Sequence, residues 1–286
     1  MRDLLTRCSF PPSGTPVVCG VSGGPDSMGL LVLACAAGLH VTAVHVDHGF
    51  RPGSGNEADL VRVVSERFGA AFRAERVDVG TGPNQEERAR AARRSVLGPA
   101  AMTGHTADDQ AETLLINLLR GAGPTGLAAM RPGHTHPLLE LRRVETHRLC
   151  ATLGIKTVSD PTNDDPRFVR NRVRHEVLPL LEAVSDRDVV PLLVRTANQM
   201  RVVDDGVNEL AASLDPTDTR ALATAPRLLA VAALRRWLAD TAGHPPSAAE
   251  LERVFRVVRH EAIACEVSGG RRVARSGGVL RLVESR

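Results

Sequence analysis

Residues 17–27 read Val-Val-Cys-Gly-Val-Ser-Gly-Gly-Pro-Asp-Ser, and this stretch decides the fold. Val17–Val21 is short and apolar, as a buried strand should be. It runs directly into the loop Ser22-Gly23-Gly24-Pro25-Asp26-Ser27. Behind the loop, Met28–Ala37 reads as an apolar helix stopped by Gly38. Paired glycines let backbone N–H groups approach an anion closely, and the helix N-terminus adds partial positive charge. Ser22 and Ser27 can donate hydroxyls, whereas Asp26 cannot bind a phosphate directly and points to a bridging Mg²⁺. The loop is neither a Walker A, which needs a lysine, nor a G-x-G-x-x-G turn. An ordinary capped βα turn is the plainer reading of its position.

Outward from the loop, strand and helix patterns alternate. Val41–Val46 is a second strand, and Ser54–Phe68 a helix with Leu60, Val63, Val64 and Phe68 on one face. Phe72–Val79 reads as a strand, Gln85–Leu97 as an arginine-rich helix and Pro99–Thr103 as a short buried strand. Thr106–Leu119 is a helix opened by a Thr106–Asp109 capping box. Arg143–Leu153 is a further helix and Ile155–Val158 a short strand. This spacing predicts an α/β fold, a doubly wound and mostly parallel sheet with ligands at the carboxyl ends of its strands. From about Arg187 long helices take over (Arg187–Leu214, Ala225–Thr241, Ser247–Arg259). Ala264–Val283 then alternates apolar and polar residues around Gly269-Gly270 and Gly277-Gly278, as strands joined by tight turns do. A boundary is expected near 185. It separates a larger α/β domain, 1–185, from a smaller, mainly helical domain, 186–286, that ends in short strands.

Composition narrows the function classes. The 286 residues are 43% apolar and 24% charged, with a net charge of +3, which permits a nucleic-acid partner without demanding one. Lys156 is the only lysine, so arginine forks are the cations available for phosphates. The five cysteines are scattered without C-x-x-C spacing, which argues against a disulfide framework, a zinc ribbon or a cysteine-held iron–sulfur cluster. A reducing, cytoplasmic setting is expected. No apolar run is long enough to span a bilayer, and no signal pattern opens the chain.

Polar motifs follow the strands. His45-Val46-Asp47-His48-Gly49-Phe50-Arg51 could present a metal ligand set or, more simply, a satisfied strand-end histidine. Arg90 and Arg93 share a helix face, which a solvated basic surface would also explain. In Thr103-Gly104-His105-Thr106-Ala107-Asp108-Asp109-Gln110-Ala111-Glu112-Thr113, two acids sit in a first helical turn with a third one turn on. Such a set can hold Mg²⁺, act as a base or bind a cationic amine, or simply cap the helix. Arg120-Gly121-Ala122-Gly123-Pro124-Thr125-Gly126-Leu127 suggests a tight loop, and Asp160-Pro161-Thr162-Asn163 a polar one. In Arg170-Asn171-Arg172-Val173-Arg174 the outer arginines are spaced to share one face and to hold phosphates or a base edge.

Taken in order, these strings resemble the tRNA(Ile)-lysidine synthetases, a family of PP-loop N-type ATP pyrophosphatases. Ser22–Ser27 is similar to the PP-loop. The segment from His45 resembles H-V-x-H-x-L-R, with Phe50 for leucine, and Gly104–Thr113 resembles G-H-x-x-D-D-Q-x-E-T. Ala89–Arg94 resembles A-R-x-x-R with Arg94 in place of tyrosine, and His136 stands where the family has arginine. The resemblance spans roughly residues 15–180. It implies an adenine nucleotide alpha hydrolase-like fold and a two-step ligation. ATP adenylates the C2 oxygen of the cytidine at the first anticodon position of a CAU-anticodon isoleucine tRNA. Free lysine then displaces AMP to give lysidine.

By the same resemblance, Ser22, Gly23, Gly24, Pro25, Asp26, Ser27, His45, His48, Arg51, Gly104 and His105 bind ATP, with Asp26 on Mg²⁺. Asp109 and Glu112 hold lysine, and Arg120, Asn163, Arg170, Asn171 and Arg174 bind tRNA. Asp26, Arg90, Arg93, Asp109 and Arg170 carry the chemistry. The chain resembles the shorter form of the family, for which recognition of the anticodon arm with little grip on the acceptor stem is expected. Helices of the second domain could pair two chains as a homodimer. A tRNA thiolase, a small-molecule amide synthetase and a non-catalytic nucleotide- or RNA-binding module are the alternatives. Dependence of AMP release on tRNA separates them.

Overall fold

The computed structural model describes residues 1–47, 55–77, 80, 85–158, 165–239 and 246–284. The chain divides into two compact units, Met1–Gln199 and Met200–Arg286. In the first, β1 (Pro16–Gly20), β2 (His40–Asp47), β3 (Ala71–Arg76) and β4 (Met102–Thr103) form a parallel sheet in the order β3-β2-β1-β4. Gly20 pairs with Val44 on one side and Thr103 on the other. The loops after β1 and β4 therefore leave the sheet side by side, at the edge where parallel sheets collect ligands.

The helices follow as α1 (Arg2–Thr6), α2 (Pro25–Ala36), α3 (Gly55–Arg67), α4 (Gln85–Leu97), α5 (Ala107–Leu119), α6 (Pro124–Leu127) and α7 (Arg143–Thr152). Helix α2 is apolar and buried on all sides from Met28 to Ala34, with Met28, Leu30, Leu31, Val32 and Leu33 inaccessible to solvent. It begins at Pro25, one turn earlier than its apolar run suggested, because proline is preorganised for a first helical position. Gly29 lets α7 lie against α2: a Cβ there would stand 3.2 Å from Thr146 Cβ. Gly104 does the same for the glycine loop and the start of α2, since a Cβ on it would lie 2.6 Å from the Asp26 carbonyl oxygen.

The expected strand at Ile155–Val158 does not form. Ile155 is buried in the main core, and Val158 gives its N–H to the Gly23 carbonyl at 2.9 Å. The segment thus braces the glycine loop with one bond instead of joining the ladder. A short α8 (Val169–Arg172) passes into a π-helical turn, Val173–Val177, and then into α9 (Leu178–Ser185).

Helix α10 (Val190–Leu210) contributes its first half to one unit and its second half to the other. The second unit continues with α11 (Thr219–Thr224), α12 (Arg227–Leu238) and α13 (Ala248–Val258). It ends in an antiparallel sheet, β5 (Ala264–Val267), β6 (Arg271–Ser276) and β7 (Val279–Glu284). Gly277-Gly278 both have positive φ, as the two-residue hairpin between β6 and β7 requires, and Gly269-Gly270 have positive φ within the three-residue loop between β5 and β6. Leu234, Leu238, Val254, Phe255, Val273 and Leu280 form its core, with Trp237 packed alongside. Glu250 clasps this unit. It accepts Ser247 N–H at 2.8 Å and the Ser247 hydroxyl at 2.6 Å on one oxygen, and Ser268 N–H and hydroxyl on the other.

Two expectations follow. Gly104→Ala should lower the unfolding free energy by about 1–3 kcal/mol, because backbone must move; a urea midpoint equal to wild type would refute the tight approach. Burial pushes the Glu250 carboxyl up, but the four serine donors outweigh it and hold the group at about 2 against an ordinary 4.5. A depressed carboxyl stabilises above its unfolded value, so the second unit should lose on the order of 2–4 kcal/mol as pH falls from about 4.5 to 2. The fluorescence of Trp237, the only tryptophan, reports this unfolding. Glu250→Gln should abolish the acid dependence.

Candidate active site

The site begins with the loop that β1 feeds. Gly23 has φ +90°, and a Cβ there would meet Val158 Cγ2 at 2.9 Å, so glycine is required twice over. Ser27 is buried. Its hydroxyl donates to the Gly24 carbonyl at 2.9 Å and accepts Ser22 N–H at 3.1 Å, which sets the curvature of the loop. The Ser22 hydroxyl lies 3.2 Å from Ser27 Oγ on an exposed residue. Pro25 and Asp26 occupy the first turn of α2.

Helix α5 delivers the acids. Asp109 accepts Thr106 N–H at 2.9 Å and the Thr106 hydroxyl at 3.0 Å, completing the expected cap. Its other oxygen faces Arg143 Nη2 at 3.2 Å, Arg170 Nη1 at 3.6 Å and Arg174 Nη2 at 3.8 Å. The side chain of Glu112 is wholly inaccessible. It receives Arg174 Nε at 2.7 Å and Arg143 Nη2 at 3.0 Å, with Arg170 Nε at 3.8 Å. Arg143 Nε also lies 3.4 Å from Asp26 Oδ2, and the Thr146 hydroxyl donates to Asp26 Oδ1. Three carboxylates from α2 and α5 therefore face three guanidiniums, and Arg143 touches all three acids.

Their protonation follows from this arrangement. Burial pushes the Asp109 carboxyl up, but Arg143, His105, the Thr106 amide and Arg170 together hold it below its ordinary value. At Asp26 burial prevails over Thr146 and Arg143, and the carboxyl is raised. Arg143 is raised despite its burial, because Asp109, Glu112, Asp26 and Asp108 surround it. Burial pushes His105 down to about 4, against the pull of Asp109 and with the help of His136, Arg170 and Arg93.

The remaining sequence candidates take varied places. Asp108 turns away from the cluster and binds Arg142 (3.1 and 3.2 Å) and the Arg143 N–H (2.8 Å), so it caps α7. His45 is buried and gives its Nδ1 to the Val21 carbonyl at 3.0 Å, the strand-end arrangement. Arg93 is exposed and acts electrostatically on His105. Arg170 and Arg174 converge on Glu112, although the π-turn and not one regular helix face brings them there. Asn171 is buried, with its amide donating to the Asp165 carbonyl at 2.9 Å. Arg120 lies exposed beyond the far end of α5, about 16 Å along its axis from Asp109. His48, Arg51, Asn163 and the side chain of Arg90 lie outside the described residues. Among the described residues, no three histidine, cysteine or acidic side chains are arranged to hold a metal by themselves.

Sequence reasoning missed Arg143 and Thr146. One signal was present: Arg142-Arg143 opens a helix, where the dipole disfavours cations, so acids had to be waiting there.

A profile of the PP-loop domain family matches residues 5–181. A tRNA(Ile)-lysidine synthase from Nocardia farcinica is 39% identical over 97% of this chain and 91% of its own length. The proteins of that name from Thermobifida fusca and Mycobacterium tuberculosis H37Rv are 38% and 40% identical. They cover 91% and 77% of this chain, and 85% and 73% of their own lengths. Among solved structures, the U34-tRNA thiolase NcsA from Methanococcus maripaludis with its 4Fe-4S cluster superposes at a TM-score of 0.57 and 18% identity. It covers 70% of this chain and 77% of that one, which is a likeness of fold. The matched profile and these relatives, similar over most of the chain, show that it belongs to the tRNA(Ile)-lysidine synthase family of PP-loop proteins.

Proposed function

We propose that this chain joins lysine to C2 of the first-anticodon-position cytidine of a CAU-anticodon isoleucine tRNA, by way of an adenylated tRNA. The observation that carries the reading is the meeting of the PP-loop with a buried acid pair, Asp109 and Glu112, at one sheet edge. ATP enters over Ser22–Ser27, with Gly104 and His105 at its border. The start of α2 and the Ser22 hydroxyl face its pyrophosphate end. Asp26 suits Mg²⁺, an ion commonly held by one or two carboxylates together with substrate phosphates. Bound there, it would neutralise phosphate charge.

Asp109 and Glu112 receive the ammonium of lysine. In the free protein three arginines neutralise them, so a guanidinium must leave when lysine arrives. Arg170 and Arg174 are the more exposed of the three and sit where they can turn to RNA phosphates or the leaving AMP. Arg143, enclosed by Asp26 and both acids, stays and keeps the nucleotide and lysine subsites in register.

A thiolase reading fits less well. Burial pushes the Cys8 and Cys19 thiols up to about 12 and Cys150 to about 11, away from the thiolate that sulfur transfer needs.

AMP release from ATP should require both free lysine and the CAU-anticodon tRNA, with lysine recovered in the tRNA. Release without tRNA would instead identify a small-molecule synthetase. Asp109→Asn should raise the KM for lysine by about 10- to 100-fold, the worth of one hydrogen bond to a charge, and move the KM for ATP far less. An unchanged lysine KM would remove Asp109 from that subsite.

A further inference from the structure

Beside the acid cluster stands a group of three side chains of which the scheme above uses only His105, and that only as a border of the nucleotide. Thr103 ends β4, His105 follows it, and His136 lies on a segment bonded back to β4 through Thr103 N–H and the Thr135 carbonyl, at 2.9 Å. Thr103 Oγ1 has three neighbours: the Thr135 carbonyl at 3.2 Å, His105 Nδ1 at 2.8 Å and His136 Nδ1 at 2.8 Å. The two rings meet edge to face, with centroids 5.1 Å apart.

A hydroxyl has one proton and two lone pairs. A carbonyl can only accept, so the proton goes to Thr135. Both lone pairs must then accept, and each imidazole donates from Nδ1. A neutral ring protonated at Nδ1 has a bare, basic Nε2. Burial keeps His105 neutral through the physiological range. Among the described residues no hydrogen bond reaches its Nε2, and Asp109, the acid assigned to lysine, is its favourable electrostatic neighbour. The charged and titratable groups acting on the ring are Asp109 on α5, His136, Arg170 on α8 and Arg93 on α4.

We propose that His105 Nε2 is the general base of the lysine-transfer step and that Thr103 is the positioning residue that fixes its tautomer. This inference rests on the ligation reading. The ε-ammonium first loses one proton to solvent. The nitrogen lone pair then forms the N–C2 bond. As the C2–O bond breaks and AMP leaves with its electron pair, the nitrogen's second proton passes to His105 Nε2. The nitrogen is far more acidic once bonded to the electron-poor C2 than it was as an ammonium, so a weakly basic ring suffices. The same weak basicity returns the proton to solvent and resets the site.

The test isolates the second step: adenylated tRNA is formed on the enzyme from ATP, then chased with lysine in a single turnover. Thr103→Val should slow transfer about 100-fold or more, the scale of general-base catalysis, while Thr103→Ser keeps the hydroxyl and recovers most of the rate. His105→Ala should regain transfer with added imidazoles, faster as their basicity rises. Wild-type transfer in Thr103→Val, equal loss in Thr103→Ser, or indifference of His105→Ala to imidazoles would overturn the assignment. Failure of the wild type to form adenylated tRNA would instead bring down the ligation reading, and this inference with it.

Discussion

The site depends on one guanidinium. Asp26, Asp109 and Glu112 come from two helices and would repel one another across a half-buried space. Arg143 stands between them and contacts all three, at 3.0–3.4 Å. Pairs of this kind add little net stability once desolvation is counted, yet removing one member is severe, because the others are left buried and unpaired. The consequence is geometric. Arg143 fixes the distance between the loop expected to hold ATP and the acids expected to hold lysine, and in this chemistry alignment carries much of the catalytic effect.

That placement is itself built from packing. The middle of helix α2, Met28 to Ala34, is apolar and buried on every side, and Gly29 allows α7 to approach it within contact distance of Thr146. The approach puts both Thr146 and Arg143 against Asp26. A second clasp, Asp108 with Arg142 and the Arg143 amide, ties the start of α7 to the start of α5. Adjacent acids of one motif thus divide their work: Asp108 holds the frame and Asp109 faces the site.

Charge balance in the cluster also has a dynamic meaning. Three acids and three arginines are neutral together, so under the proposed function a cationic amine enters as an arginine leaves. Arg170 and Arg174 stand on a short helix that runs into a π-turn, a geometry frequent at functional sites. Anionic RNA is a natural destination for displaced guanidiniums.

The local signals were legible early. The strand, glycine loop and helix at residues 17–37, the Thr106–Asp109 cap and the paired-glycine hairpins near the C-terminus each rest on residue types within a few positions of one another. So does the ordered set of motifs, which carried the family. What sequence could not show is pairing across distance. Val158 bonds to Gly23 and does not extend a strand, because one hydrogen bond and a side chain under the loop satisfied it. Arg143 is 117 residues from Asp26 and 31 from Glu112, and no periodicity links them. The single hydroxyl proton of Thr103 sets two imidazole tautomers because packing brings His136 back across 33 residues. Sequence by itself determined which elements form and which chemistry they carry, since propensity, capping and loop conformation are local. Only the tertiary structure decided which charges meet, since that depends on how buried helices close upon one another.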